Sequence, residues 1–150
     1  MKIITTVLVS LFIVTAGFAQ KGLEGLWEGT ITKGGIYSEA GDRVELFLEV
    51  EGSKISGRSY VHMPDGKVVE MELKGSFYQD RSIYLEDIEF VPPADSSYVP
   101  PFSRKYQLIY TRSIWNNKLE GYWQQIIPTP FHSSRKRGRI FLKKVSSKKA

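Results

Sequence analysis

Residues 43–50 read RVELFLEV, in which Val44, Leu46, Leu48 and Val50 alternate with Glu45, Phe47 and Glu49. A period of two is what an extended chain needs to send one row of side chains into a core and the other toward water. Residues 43–50 are therefore a half-buried strand, and the same reading extends in both directions. In residues 67–78, Val69, Met71, Leu73, Gly75 and Phe77 share one face, while Glu70, Glu72, Lys74 and Ser76 share the other. No window of ten or more residues carries a helical period. The alternation predicts further strands over 23–32, 54–62, 82–90, 104–112, 118–126 and 138–145, which makes eight and an all-β chain.

The breaks between these segments have turn chemistry. Glu51-Gly52-Ser53, Pro64-Asp65-Gly66 and Asn116-Asn117 supply residues that tolerate positive φ, and Gln79-Asp80 forms a fourth short polar link. Short links make consecutive strands antiparallel neighbours. An open meander would leave two edges with unpaired backbone groups; closing it into an eight-stranded up-and-down barrel removes both. A two-sheet β-sandwich is the alternative, but no segment signals a crossover between sheets.

Three connections are longer: residues 33–42, 91–103 and 127–136. They follow the first, fifth and seventh strands, so in a meander all three emerge at one end. Ile36, Tyr37, Tyr98, Phe102, Phe131 and His132 are expected to gather around that opening, with Gln125 below them as a polar group. Apolar and aromatic side chains at a concave mouth are what a small-molecule site requires. The same residues would equally serve to cap a filled core. Pro92-Pro93 and Pro100-Pro101 would stiffen the rim.

A second pattern supports a curved sheet. The pentapeptide LEGLW at 23–27 returns as LEGYW at 119–123. If both copies are extended, Leu, Gly and Trp point to one face, and the glycine leaves room for an indole or for the close approach of a neighbouring strand. Apolar-x-Gly steps also occur at Ile55-Ser56-Gly57 and Leu73-Lys74-Gly75. Neither copy holds a reactive group beyond one outward Glu, so the echo speaks for barrel geometry and not for a duplicated active site.

Gly25-Leu26-Trp27, on the first strand, resembles the Gly-x-Trp signature of the calycin barrels, the lipocalins, fatty-acid-binding proteins and avidins. The resemblance implies a meander barrel whose first-strand Trp plugs one end, often under an Arg or Lys of the last strand; Arg137 or Arg139 would fill that role here. The chain departs from the group in places. No helix pair follows the first strand, no C-terminal helix is evident, and the Asn that avidins carry two positions after this Trp is Gly29, which removes biotin from what the resemblance implies.

The ends of the chain bear on location. Met1-Lys2, the apolar run Ile3 to Val14 and Gly17-Phe18-Ala19 have the form of an export signal over residues 1–19, cleaved after Ala19. The expected product is a single β-barrel domain over 20–145 with a basic tail at 146–150. It would lie in the periplasm or outside the cell, with no integral membrane segment after processing and no cysteine to take a lipid. The 150 residues contain no cysteine at all, which excludes disulfides and thiolate metal sites. Formal charge is +5, yet eight bases and no acid fall within residues 135–150. The basic balance thus comes from one segment, which argues against nucleic acid as a partner and allows docking on an anionic envelope polymer.

Catalytic patterns are scarce. His62 and His132 have no second ligand at a metal spacing, and there is no nucleophile elbow, phosphate loop or HExxH, so neither metal nor cofactor is expected. Glu86, Asp87 and Glu89 could offer paired carboxylates for glycoside hydrolysis, the remote enzymatic alternative. Alternation sends Glu86 to one face and Asp87 with Glu89 to the other, so an inward carboxylate beside Tyr106, Tyr110 or Gln125 would be an acid or a ligand anchor. The leading expectation is a non-enzymatic exported barrel that holds a small hydrophobic or aromatic ligand in its mouth. The alternative is a solid barrel that docks on anionic polymers through its basic C-terminus.

Overall fold

Eight strands form in chain order: β1 (Gly25–Ile31), β2 (Asp42–Glu51), β3 (Lys54–His62), β4 (Val68–Phe77), β5 (Ser82–Phe90), β6 (Arg104–Thr111), β7 (Lys118–Gln125) and β8 (Arg137–Lys144). The computed structural model describes residues 21–34, 41–94, 97–127 and 135–146. The export signal at 1–19, most of the 146–150 tail, and Ile36, Tyr37, Phe131 and His132 lie outside the described residues. Each strand pairs antiparallel with the next, and β1 also pairs with β8, Trp27 opposite Lys144 and Ile31 opposite Ile140. That last ladder closes the barrel and removes the sandwich alternative. The layout is compatible with the calycin barrels.

Inside, the alternation is realised. Val44, Leu46 and Leu48 of β2 are buried, as are Val69, Met71 and Leu73 of β4, and they join one apolar core with residues of every other strand. Odd-numbered strands run toward one end, which carries the connections after β1, β3, β5 and β7; we call it the mouth. The opposite end, the base, carries the turns after β2, β4 and β6 and the N-terminal entry.

At the base, residues 21–23 form one helical turn that drops Leu23 into the core, fully buried. Leu23 is thus not extended, and the two LEGxW copies differ. Gly25 has φ of 108°, a left-handed conformation that carries the chain from that turn into β1 and that favours glycine. Gly121, in contrast, lies in the middle of β7, where a Cβ would overlap the Gln107 carbonyl oxygen and sit 2.9 Å from Leu108 Cα. Gly121→Ala is accordingly expected to push β6 and β7 apart and cost about 2 kcal/mol, read as a lower denaturation midpoint. The two indoles end up far apart along the axis, Trp27 near the base and Trp123 near the mouth.

The base also corrects one expectation. The basic residue that covers Trp27 is Lys144, not Arg137 or Arg139: its Nζ lies 5.5 Å from the indole centroid and donates to the Gly22 carbonyl at 2.6 Å and to the Glu24 carbonyl. Register explains it, since Lys144 stands opposite Trp27, while Arg137 belongs to the mouth end of β8 and Arg139 lies over the Tyr122 and Phe141 rings. Within β8 the bases are therefore divided between the two ends, Arg137 at the mouth and Lys144 at the base.

One irregularity matters for the chemistry. Between β4 and β5, Leu73 pairs with Asp87 but Glu72 pairs with Glu89, so Ile88 is an extra residue, a β-bulge. Ile83, Leu85 and Asp87 point inward; Ile88 and Glu89 are both exposed, and Phe90 turns back to pack on the core.

Candidate functional site: the barrel mouth

At the mouth, strand ends and the described parts of the connections line a cavity of about 540 Å³. Its apolar walls come from Met63, Val69, Tyr98, Phe102 and Trp123, with Pro100 and Pro101 on one side. Among the described residues, bases dominate the charged lining: Lys33, Arg104, Arg135, Lys136 and Arg137 against one acid, Asp42, which pairs with Lys33 at 3.8 Å.

The aromatic wall is held in place by specific contacts. The Trp123 indole N–H donates to the Thr32 carbonyl at 2.8 Å, which fixes the ring against the end of β1. Phe102 lies parallel to Trp123, the planes 4° apart and the centroids 6.1 Å apart. The Arg104 guanidinium carbon sits 4.9 Å from the Phe102 centroid and 5.1 Å from that of Trp123, and Lys136 Nζ is 5.1 Å from Phe102. Such cation–π contacts are strongest where water is excluded.

Beneath this wall lies a buried polar cluster. Asp87, 4% exposed, accepts the main-chain N–H of Arg104 at 2.7 Å and the Tyr106 hydroxyl at 3.2 Å. Burial pushes its carboxyl up to about 6, against the opposing pull of Arg104 and the donated hydrogen bonds. Tyr106, wholly buried, is raised by desolvation and by the charge of Asp87. Ser59 is also wholly buried beside both groups; its hydroxyl makes no well-formed hydrogen bond, although it lies near enough to favour either ionised form.

Arg104 itself is 9% exposed, and its Nε is buried with no hydrogen-bond partner. Among the described residues its guanidinium makes no ion pair with a carboxylate. Asp87 takes its main-chain N–H instead.

Of the residues expected at the mouth, Tyr98 and Phe102 line the cavity. Gln125 does not: its side-chain oxygen accepts the Lys136 main-chain N–H at 3.2 Å, tying the end of β7 to the approach to β8. Glu86, Asp87 and Glu89 do not converge. Glu86 accepts the Tyr84 hydroxyl on the partly exposed wall, and the Ile88 bulge turns Glu89 away from Asp87. His62 faces Glu45 at 3.6 Å. Among the described residues no group of three His, Asp or Glu side chains is placed to hold a metal, and no helix is long and apolar enough to cross a membrane. Sequence reasoning passes over Arg104, although it stands in phase with the inward Tyr106, Leu108 and Tyr110; an arginine heading an apolar row is the available signal. Met63, Val69 and Trp123 likewise read as strand or turn residues and not as parts of the mouth. No protein-family model, no curated protein and no solved structure matches the chain.

Proposed function

We propose that this protein is an exported, non-enzymatic barrel of calycin type that binds one small ligand with an apolar or aromatic body in its mouth. The observation that carries the reading is the asymmetry between the ends. The base is packed by Leu23, Trp27, Phe77 and Tyr110, whereas the mouth keeps about 540 Å³ lined by aromatic rings, within the range that small-molecule sites occupy. The calycin assignment draws support from the plug Trp27 and the last-strand Lys144 that covers it.

The test is a panel of fatty acids, aromatic metabolites and hydrophobic dyes, followed by tryptophan fluorescence and thermal denaturation. A compound present at 100 times its dissociation constant is expected to stabilise the barrel by about 2.7 kcal/mol. Tyr98→Ala and Phe102→Ala should each weaken that compound. If no compound shifts the melting temperature, the alternative gains: an interaction module whose exposed Arg135, Lys136 and Arg137 dock on anionic envelope polymers, with binding that fades as salt is added.

A further inference from the structure

We propose that the ligand of the mouth is an aromatic acid, a planar apolar ring system carrying an oxyanion that ion-pairs with Arg104. The inference rests on the mouth-binding reading above and adds the chemical class of its ligand. A buried guanidinium is costly unless its N–H groups are engaged. Arg104 has its Nε buried and unpartnered and lies over two ring faces. Ring faces attract the cation but accept none of its in-plane hydrogen bonds, so the edge of the guanidinium is left for another acceptor. The buried acid beside it, Asp87, already accepts the Arg104 main-chain N–H and the Tyr106 hydroxyl. A carboxylate, sulfonate or phosphate offers the paired oxygens that a guanidinium fork matches.

The rest of the cavity selects the body and the charge. Tyr98, Phe102 and Trp123 with two prolines present flat, stiff faces, which suit a ring more than a flexible chain. At the rim, Arg135, Lys136 and Arg137 bring positive charge to the entrance, and among the described lining residues the one acid, Asp42, pairs with Lys33. A cationic ligand would meet like charge on entry and at the floor.

The experiment compares probes of one shape: 2-naphthoate, 2-naphthalenesulfonate and 2-naphthalenemethanol, with dodecanoate as the chain-like acid, by calorimetry on the mature protein. Both naphthalene acids are expected to bind at least tenfold more tightly than the alcohol, and more tightly than dodecanoate. The preference should survive 0.5 M salt, because a buried pair is screened far less than the rim. Arg104→Met should abolish the acid-over-alcohol ratio, and Arg104→Lys should restore part of it. The ratio in the unaltered protein tests the idea even if Arg104→Met does not fold. Equal binding of acid and alcohol, or a preference lost entirely in salt, overturns the ion pair with Arg104 while the mouth-binding reading stands. Dodecanoate binding above naphthoate overturns the aromatic class. Failure of all four probes to bind overturns the aromatic-acid class, and the wider panel then decides the mouth-binding reading separately.

Discussion

Trp27→Ala is expected to destabilise the barrel by about 3–5 kcal/mol, the usual cost of removing a large buried aromatic. The indole is fully buried, donates to the Leu23 carbonyl at 2.8 Å and meets Tyr110 edge to face with centroids 6.1 Å apart. Its loss removes more than packing volume. The helical turn at 21–23 would lose the donor that anchors it, and Lys144 would lose the ring beneath its ammonium while still bound to the Gly22 and Glu24 carbonyls. Chemical denaturation followed by circular dichroism measures the effect. Trp27→Phe should retain much of the stability, because it keeps the ring contact with Tyr110 and loses the hydrogen bond. Since Trp27 lies at the base, protein that remains folded should bind mouth ligands unchanged. An unaltered melting temperature in Trp27→Ala would show that Trp27 is not the plug of the barrel.

Strands are legible because alternation is a local property: RVELFLEV contains all that is needed to place Val44, Leu46 and Leu48 inside. Closure is legible from the short links, which leave little choice of neighbour. What stays hidden depends on register across the sheet. Whether Arg137, Arg139 or Lys144 covers Trp27 is decided by how β8 slides along β1, and nothing within either segment reports that. The bulge at Ile88 is similar: extended alternation places Glu89 with Asp87, and only the pairing with β4 shows the extra residue. At the mouth, Tyr98 and Phe102 can be foreseen from the position of their connection. Gln125 has the same position in its favour and still points elsewhere, because its partner is a main-chain group of the next connection. Arg104 is visible in phase but not in consequence, since a strand-end arginine usually reaches water and this one is covered by two rings.

Asp87→Asn is expected to stabilise the protein at neutral pH by as much as about 3 kcal/mol, the free-energy equivalent of the rise in its carboxyl pKa on folding. That carboxyl is raised from 3.8 to about 6 because burial disfavours its charge more than Arg104, Tyr106 and Ser59 favour it. The sign follows from which state ionises first. Below about pH 4 both folded and unfolded chains hold the proton, and Asp87 imposes no electrostatic cost. Between about 4 and 6 the unfolded chain releases it while the folded chain does not, so this group lowers stability as pH rises. Above about 6 the cost is complete. An asparagine cannot ionise, yet its oxygen can still accept the Arg104 main-chain N–H and its amide can donate to the Tyr106 oxygen, so the cluster keeps its hydrogen bonds. Asp87→Ala lacks both and leaves two buried donors unpaired, which should destabilise the protein at every pH. The measurement is the difference in unfolding free energy between Asp87→Asn and the unaltered protein from pH 4 to 7.5, which cancels groups elsewhere. That difference should grow in favour of Asp87→Asn up to about pH 6 and then level off; a constant difference across the range would show that Asp87 titrates as an ordinary carboxylate.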